Sequence, residues 1–241
     1  MSDNTEMENK RALIICAHDD DEVIGPGGTI RKLADAGVAV TTVIFATGNE
    51  GYLKLEDKES IVERRVLEAK KAGSILGTQE YITHSYDDFS NLDCNDVYQK
   101  IIQAVRKVKP RIVFSHLPTD YIAHRTLSKV VPEAVWQSSW NCSLTYGEPW
   151  KVDRLYLFPI LELLPKPSHI IDISDTFHAK IEAMQAYDSQ HDVVPQILDQ
   201  IEAKARVYGS LIGVKYGEAF MRSQFIPLAV SEIGDLLESK S

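Results

Sequence analysis

Residues Arg11 to Ile30, RALIICAHDDDEVIGPGGTI, decide the fold. An apolar run from Ala12 to Ala17 stops at His18, the acids Asp19, Asp20, Asp21 and Glu22 follow, and Gly25, Pro26, Gly27 and Gly28 lead into a helix-like pattern. An apolar run without alternation reads as a strand covered on both faces, as in parallel sheets. Imidazole and carboxylates then lie just past the carboxyl end of that strand, where open α/β sheets place their ligand crevices. Adjacent acids repel one another. The plain alternative is a solvated acidic turn capping the next helix, but a histidine directly ahead of the acids, at a strand end, favours a metal site. His18 and Asp21, three apart in a turn, can face one ion with Asp20 beside it. Two ligands are too few for zinc, so a third must come from elsewhere.

Outward from this stretch the chain alternates. Thr29 to Ala36 reads as a helix closed by Gly37, and Val38 to Thr47 as a β-branched second strand leaving through the polar loop Thr47-Gly48-Asn49-Glu50-Gly51. Lys58 to Leu76 is helical and ends at Gly77, Glu80 to His84 is a short strand, and Asn95 to Lys107 is an amphipathic helix stopped by Pro110. Arg111 to Ser115 is a fourth strand, followed by a helix over His124 to Gln137. Further strands are expected at Arg154 to Pro159 and His169 to Ile173, and helices at Thr176 to Tyr187 and Val194 to Val207. This order predicts an α/β fold: a Rossmann-like doubly wound, mostly parallel sheet with helices on both faces. With no repeat or linker, residues 1–241 read as a single domain whose first ten residues form a flexible N-terminus.

In such a sheet the fourth strand leaves beside the first. Its exit carries His116 and His124, and one of the two is expected as the third ligand, with His124 at the start of the next helix well placed. The net charge of −9, without a basic patch, excludes nucleic acid as a natural partner. Cys16, Cys94 and Cys142 cannot all pair, and the polar N-terminus carries no apolar signal segment, so a cytoplasmic protein without a membrane span is expected. A phosphate cradle at Gly25, Gly27 and Gly28 is disfavoured by the acids and by the missing lysine of a phosphate loop.

Ala17-His18-Asp19-Asp20-Asp21-Glu22 with Gly27-Gly28-Thr29 resembles the AHPDDE…GGT signature of the PIG-L/LmbE-like zinc-dependent deacetylases. Thr47 to Gly51, Arg65-x-x-Glu68-Ala69 with Leu76-Gly77, Ser115-His116-x-Pro118-x-Asp120…His124-Arg125, Ser189-Gln190 and Glu218-Ala219-Phe220 resemble later family patterns in the right order. The resemblance implies His18, Asp21 and His124 as ligands of Zn2+ or another divalent ion. It implies Asp20 as general base, and an N-acetylated amino sugar or glycoconjugate as the small-molecule substrate. It also makes a homo-oligomer an expectation. Arg65, Glu50, Asp88 and Asp120 are the candidate substrate-binding residues; Arg65 has an alternative as a partner of Glu68 or Asp57. Trp136, Trp140 and Trp150 are candidate platforms for a sugar ring.

The chain departs from the family pattern at three places. Asp19 replaces the proline between His and Asp, Ala123 the aspartate before the last ligand, and Tyr121 the histidine three residues before it, where a phenol can still donate to an oxyanion. Other amide-cleaving or hydratase chemistry, and a catalytically silent metal- or sugar-binding protein, are the alternatives these departures keep open.

Overall fold

Strand β1 (Arg11–Cys16) pairs in parallel with β2 (Ala39–Ala46) on one side and β4 (Ile112–His116) on the other. The computed structural model describes residues 10–227; of the expected flexible N-terminus only Lys10 lies among them. Beyond β2 stands β3 (Thr78–Tyr86), beyond β4 stands β5 (Arg154–Phe158), both parallel, and the order is β3-β2-β1-β4-β5-β7-β6. Strands β7 (Gly217–Arg222) and β6 (His169–Asp172) complete the sheet, β7 running antiparallel to both its neighbours. The chain thus builds outward from β1 through β2 to β3, then crosses to begin again at β4. The reversal of winding falls between β1 and β4, where doubly wound sheets open a crevice at the carboxyl ends of the strands.

Alternate residues of β1 supply opposite cores. Leu13, Ile15 and Ala17 pack with α4 (Asn95–Val108) and α5 (Ile122–Gln137). Ala12, Ile14 and Cys16 pack under α2 (Gly27–Asp35), α3 (Ile61–Leu76), α6 (Phe177–Gln185) and α7 (Ile197–Ile212). All of β1 beyond Arg11 is buried, which is why its sequence does not alternate. Helix α3 ends where Gly77 takes a left-handed φ of 83° and its N–H bonds back to the Gly73 carbonyl, a stop that glycine adopts without steric penalty.

The expected strands are present, β3 extending past both ends of its expected range. Helix α5 starts two residues earlier than expected, at Ile122, and a one-turn helix α1 (Asp21–Ile24) precedes α2. Strand β7 was not expected: Glu218, its second residue, buried in an ion pair with Lys180, breaks the apolar pattern that marks a core strand.

Candidate metal centre

His18 and Asp21 follow β1, and His124 lies in the first turn of α5 after β4, so the two strand exits bordering the crevice bring them together. The turn after β1 closes on itself: the His18 N–H donates to Asp21 Oδ2 at 2.7 Å. Asp21 Oδ1 then stands 3.0 Å from His124 Nε2, and one ligand atom from each of His18, Asp21 and His124 lies within 4.8 Å of the others. All three are buried, His124 completely. Both ring nitrogens of His124 are buried without a hydrogen-bond partner. An unpaired buried polar atom costs about 1–3 kcal/mol, and a cation among these donors removes that cost.

The electrostatics point the same way. Burial pushes the Asp21 carboxyl up, but the neighbouring imidazoles, His124 first, outweigh it and hold it well below the usual carboxylate range; burial pulls His116 itself down to about 4, which leaves its ring neutral. Burial pulls the His124 imidazole down, yet the Asp21 carboxylate and Asp120 raise it to about 9. The site therefore favours positive charge between His124 and Asp21, which a divalent ion supplies as a proton does. Two imidazoles and a carboxylate suit zinc-like ions, and three protein ligands leave a position open.

Asp20 sits beside the cluster, buried, with its carboxylate 3.5 Å from Arg65 Nη2. The Tyr121 hydroxyl lies 3.0 Å from His18 Nδ1, so the phenol reaches the same centre. Asp88 accepts the Gly48 and Glu50 N–H groups at 2.7 and 2.9 Å and stands 3.9 Å from His18 Nε2. Glu50 is at the rim, paired with Lys58 at 3.0 Å.

Two expectations are corrected. Asp120 has no exposed side-chain surface: it accepts the Tyr121 and Ile160 N–H groups at 2.9 Å each and lies 3.5 Å from His124 Nδ1. Burial would raise its carboxyl, but His124 and these amides hold it down to about 2. It is placed to orient His124, as carboxylates behind ligand histidines do. Arg65 pairs with neither Glu68 nor Asp57 but lies buried against Asp19, its Nε donating to Asp19 Oδ1 at 2.7 Å. The 47–51 loop covers it: Gly48 has φ +69°, and a Cβ there would overlap the guanidinium. The tryptophans lie elsewhere. Trp150 Nε1 donates to the Pro110 carbonyl at the amino end of β4. Trp136, packed on Trp140, is twelve residues along α5 from His124, about 18 Å at the helical rise.

His116, the other candidate for third ligand, lies behind the cluster, and two further buried groups go beyond the expected site. His116 is fully buried, with Nε2 accepting the Ala17 N–H at 3.0 Å. Glu22 Oε1 accepts the hydroxyls of Tyr187 and Tyr81 at 2.9 and 3.2 Å. Lys180 and Glu218 form a buried pair at 2.5 Å under the glycine turn. The signal for His116 is a polar pair, Ser115-His116, closing an apolar strand; the other groups join segments far apart in the chain, which no local pattern marks.

A buried two-histidine, one-carboxylate centre at the switch point of a doubly wound sheet defines a metal-site α/β protein of the hydrolase type. The chain belongs to the family described as PIG-L: GlcNAc-PI de-N-acetylase, whose model matches residues 13–135. It is 28% identical over 232 residues to the diacetylchitobiose deacetylase of Thermococcus kodakarensis, with 90% of this chain and 84% of that protein covered. It is 24% identical to a 1D-myo-inositol 2-acetamido-2-deoxy-alpha-D-glucopyranoside deacetylase of Rhodococcus erythropolis, with 77% and 83% covered. The solved N,N'-diacetylchitobiose deacetylase from Pyrococcus horikoshii, in complex with its inhibitor MPG, superposes with a TM-score of 0.83 at 29% identity, over 94% of this chain and 88% of that one.

Proposed function

We propose that this protein is a metal-dependent hydrolase that removes the acetyl group from the nitrogen of an N-acetylated amino sugar, with zinc as the ion. The observation that carries the reading is the buried His18, Asp21, His124 cluster, whose ligand atoms converge while His124 Nε2 makes no hydrogen bond; relatives named as deacetylases of acetamido sugars support the substrate class. When bound, the ion supplies Lewis acidity toward water and toward the amide carbonyl.

The remaining steps belong to side chains. Asp20, beside the cluster but outside it, takes the proton of the attacking water and returns it to the leaving amine. The Tyr121 hydroxyl, already within hydrogen-bond distance of the His18 ring, donates to the carbonyl oxygen as charge develops there. Arg65, anchored on Asp19 and 3.5 Å from Asp20, holds the acidic turn in place, while Asp120 orients His124 and Asp88 braces the 47–51 loop. Asp88 and Glu50 are the acids left nearest the mouth to meet sugar hydroxyls. The unpaired Cys16, Cys94 and Cys142 support a reducing, cytoplasmic setting, and no helix among the described residues is long and apolar enough to cross a membrane.

Acetate release from N-acetylglucosamine and diacetylchitobiose by the zinc-loaded protein tests the reading. Turnover of at least one of them, absent after chelation and restored by zinc, is expected. Stoichiometric zinc binding with no acetate release from either sugar would transfer the site to other chemistry.

A further inference from the structure

The backbone ladder between β1 and β4 ends before the metal centre begins. Pairing runs Ala12 with Ile112, Leu13 with Val113 and Ile14 with Phe114. Beyond it the strands are joined by side chains of β4. The Ser115 hydroxyl donates to the Ile15 carbonyl at 3.0 Å, and His116 Nε2 accepts the Ala17 N–H at 3.0 Å. The two strands separate here, and their exits carry the ligands, His18 and Asp21 on one side and His124 on the other. A side-chain bridge longer than a ladder hydrogen bond therefore sets the span that the ligands must close.

His116 touches every part of that span. Its acceptor holds Ala17, the residue before His18. Its Nε2 lies 3.2 Å from Asp21 Oδ2, and its ring lies flat on that of His124, with centroids 4.1 Å apart and planes 2° from parallel. A backbone N–H can only donate, so Nε2 is the acceptor there. With Nε2 engaged by Ala17, the contact with Asp21 Oδ2 is not a hydrogen bond, and that oxygen accepts one from the His18 N–H. His116 Nδ1 is buried with no hydrogen-bond partner, so the Ala17 bond is the ring's polar anchor.

We propose that His116 is a positioning residue for the metal centre: through its Nε2 acceptor it fixes the separation of β1 and β4 at the crevice, and with it the spacing of His18 and Asp21 from His124. The proposal rests on the reading of those three residues as metal ligands. It distinguishes the acceptor from the ring. His116→Phe keeps a flat ring against His124 and removes the acceptor. His116→Gln removes the ring and carries an amide oxygen close to the position of Nε2.

The test is zinc affinity of the metal-free full chain, measured by competition with a chromophoric chelator, for the wild type and both variants, with folding followed by circular dichroism. His116→Phe is expected to bind zinc about tenfold to a hundredfold more weakly, the usual loss when a group behind the ligands is removed, and His116→Gln to lie closer to the wild type than to the Phe variant. A smaller loss in His116→Phe, or a Gln variant as weak as Phe, overturns the proposal. If His116→Phe does not fold, His116→Asn, whose amide stops short of Ala17, takes its place with the same expected loss. Acetate release is not the readout, so a wrong substrate leaves the result intact. A wild-type chain that binds no zinc overturns the metal reading together with the proposal, and is visible in the wild-type titration alone.

Discussion

Two buried polar clusters flank the glycine turn after β1, and their hydrogen bonding differs. Behind the turn, Lys180 Nζ donates to the Gly25 carbonyl at 2.7 Å and to Glu218 Oε1 at 2.5 Å, while the two Glu218 oxygens accept the Gly28 and Thr29 N–H groups at 2.8 Å each. Both charges are matched, and the cluster ties β7 and α6 to the start of α2. In front of the turn, His18, Asp21 and His124 face one point, and His124 Nε2, 3.0 Å from Asp21 Oδ1, makes no hydrogen bond. A buried polar group without a partner costs about 1–3 kcal/mol, and here it lies where two other metal-ligating side chains converge. The saturated cluster holds the chain; the unsaturated one is open to chemistry.

That contrast can be broken by variants that strike one cluster and spare the other. The largest effect is expected from Asp20→Asn, which leaves the ligands in place and removes the proposed base. Its kcat should fall about 10²- to 10⁴-fold with metal content and melting temperature unchanged, and a loss under about tenfold would take Asp20 out of that role. Next comes Lys180→Met, which strands a buried carboxylate. Unfolding in urea should show a loss of about 3–5 kcal/mol, while folded protein still binds its ion; loss of metal without loss of stability would mean that the two clusters are not separate in function. Smaller again is Asp120→Asn, which keeps the shape behind His124 and removes the charge. Metal affinity by chelator competition should weaken about tenfold to a hundredfold, and an unchanged affinity would reduce Asp120 to a brace for the loop at Ile160.

The same contrast explains what could be read from the sequence. Ala12 to Ala17 announced a central parallel strand because a strand covered on both faces needs no alternation. His18 and Asp21 were legible because acids crowded after a strand end have no packing reason to be there. The strand leaving beside β1 offers both His116 and His124 as a third ligand, and the family resemblance selects His124. The fully paired cluster gave no such sign: Lys180 and Glu218 meet across 38 residues, and Glu218 hid β7 by interrupting its apolar run. Arg65 is read from the sequence as a substrate-binding residue or a partner of Glu68 or Asp57, and its pairing with Asp19 across 46 residues leaves no local pattern. Asp120 is a substrate-binding candidate in the sequence, and only the fold shows its carboxylate 3.5 Å from His124 Nδ1 with no exposed side-chain surface.

The central claim is that His18, Asp21 and His124 together hold one metal ion. Elemental analysis of wild-type protein and His124→Ala, each stripped with chelator, refilled with zinc and desalted, tests it most directly. The account predicts one zinc per wild-type chain and none in the variant, with both proteins folded by circular dichroism. A wild type that retains no zinc, or a His124→Ala chain that retains as much as the wild type, would contradict it.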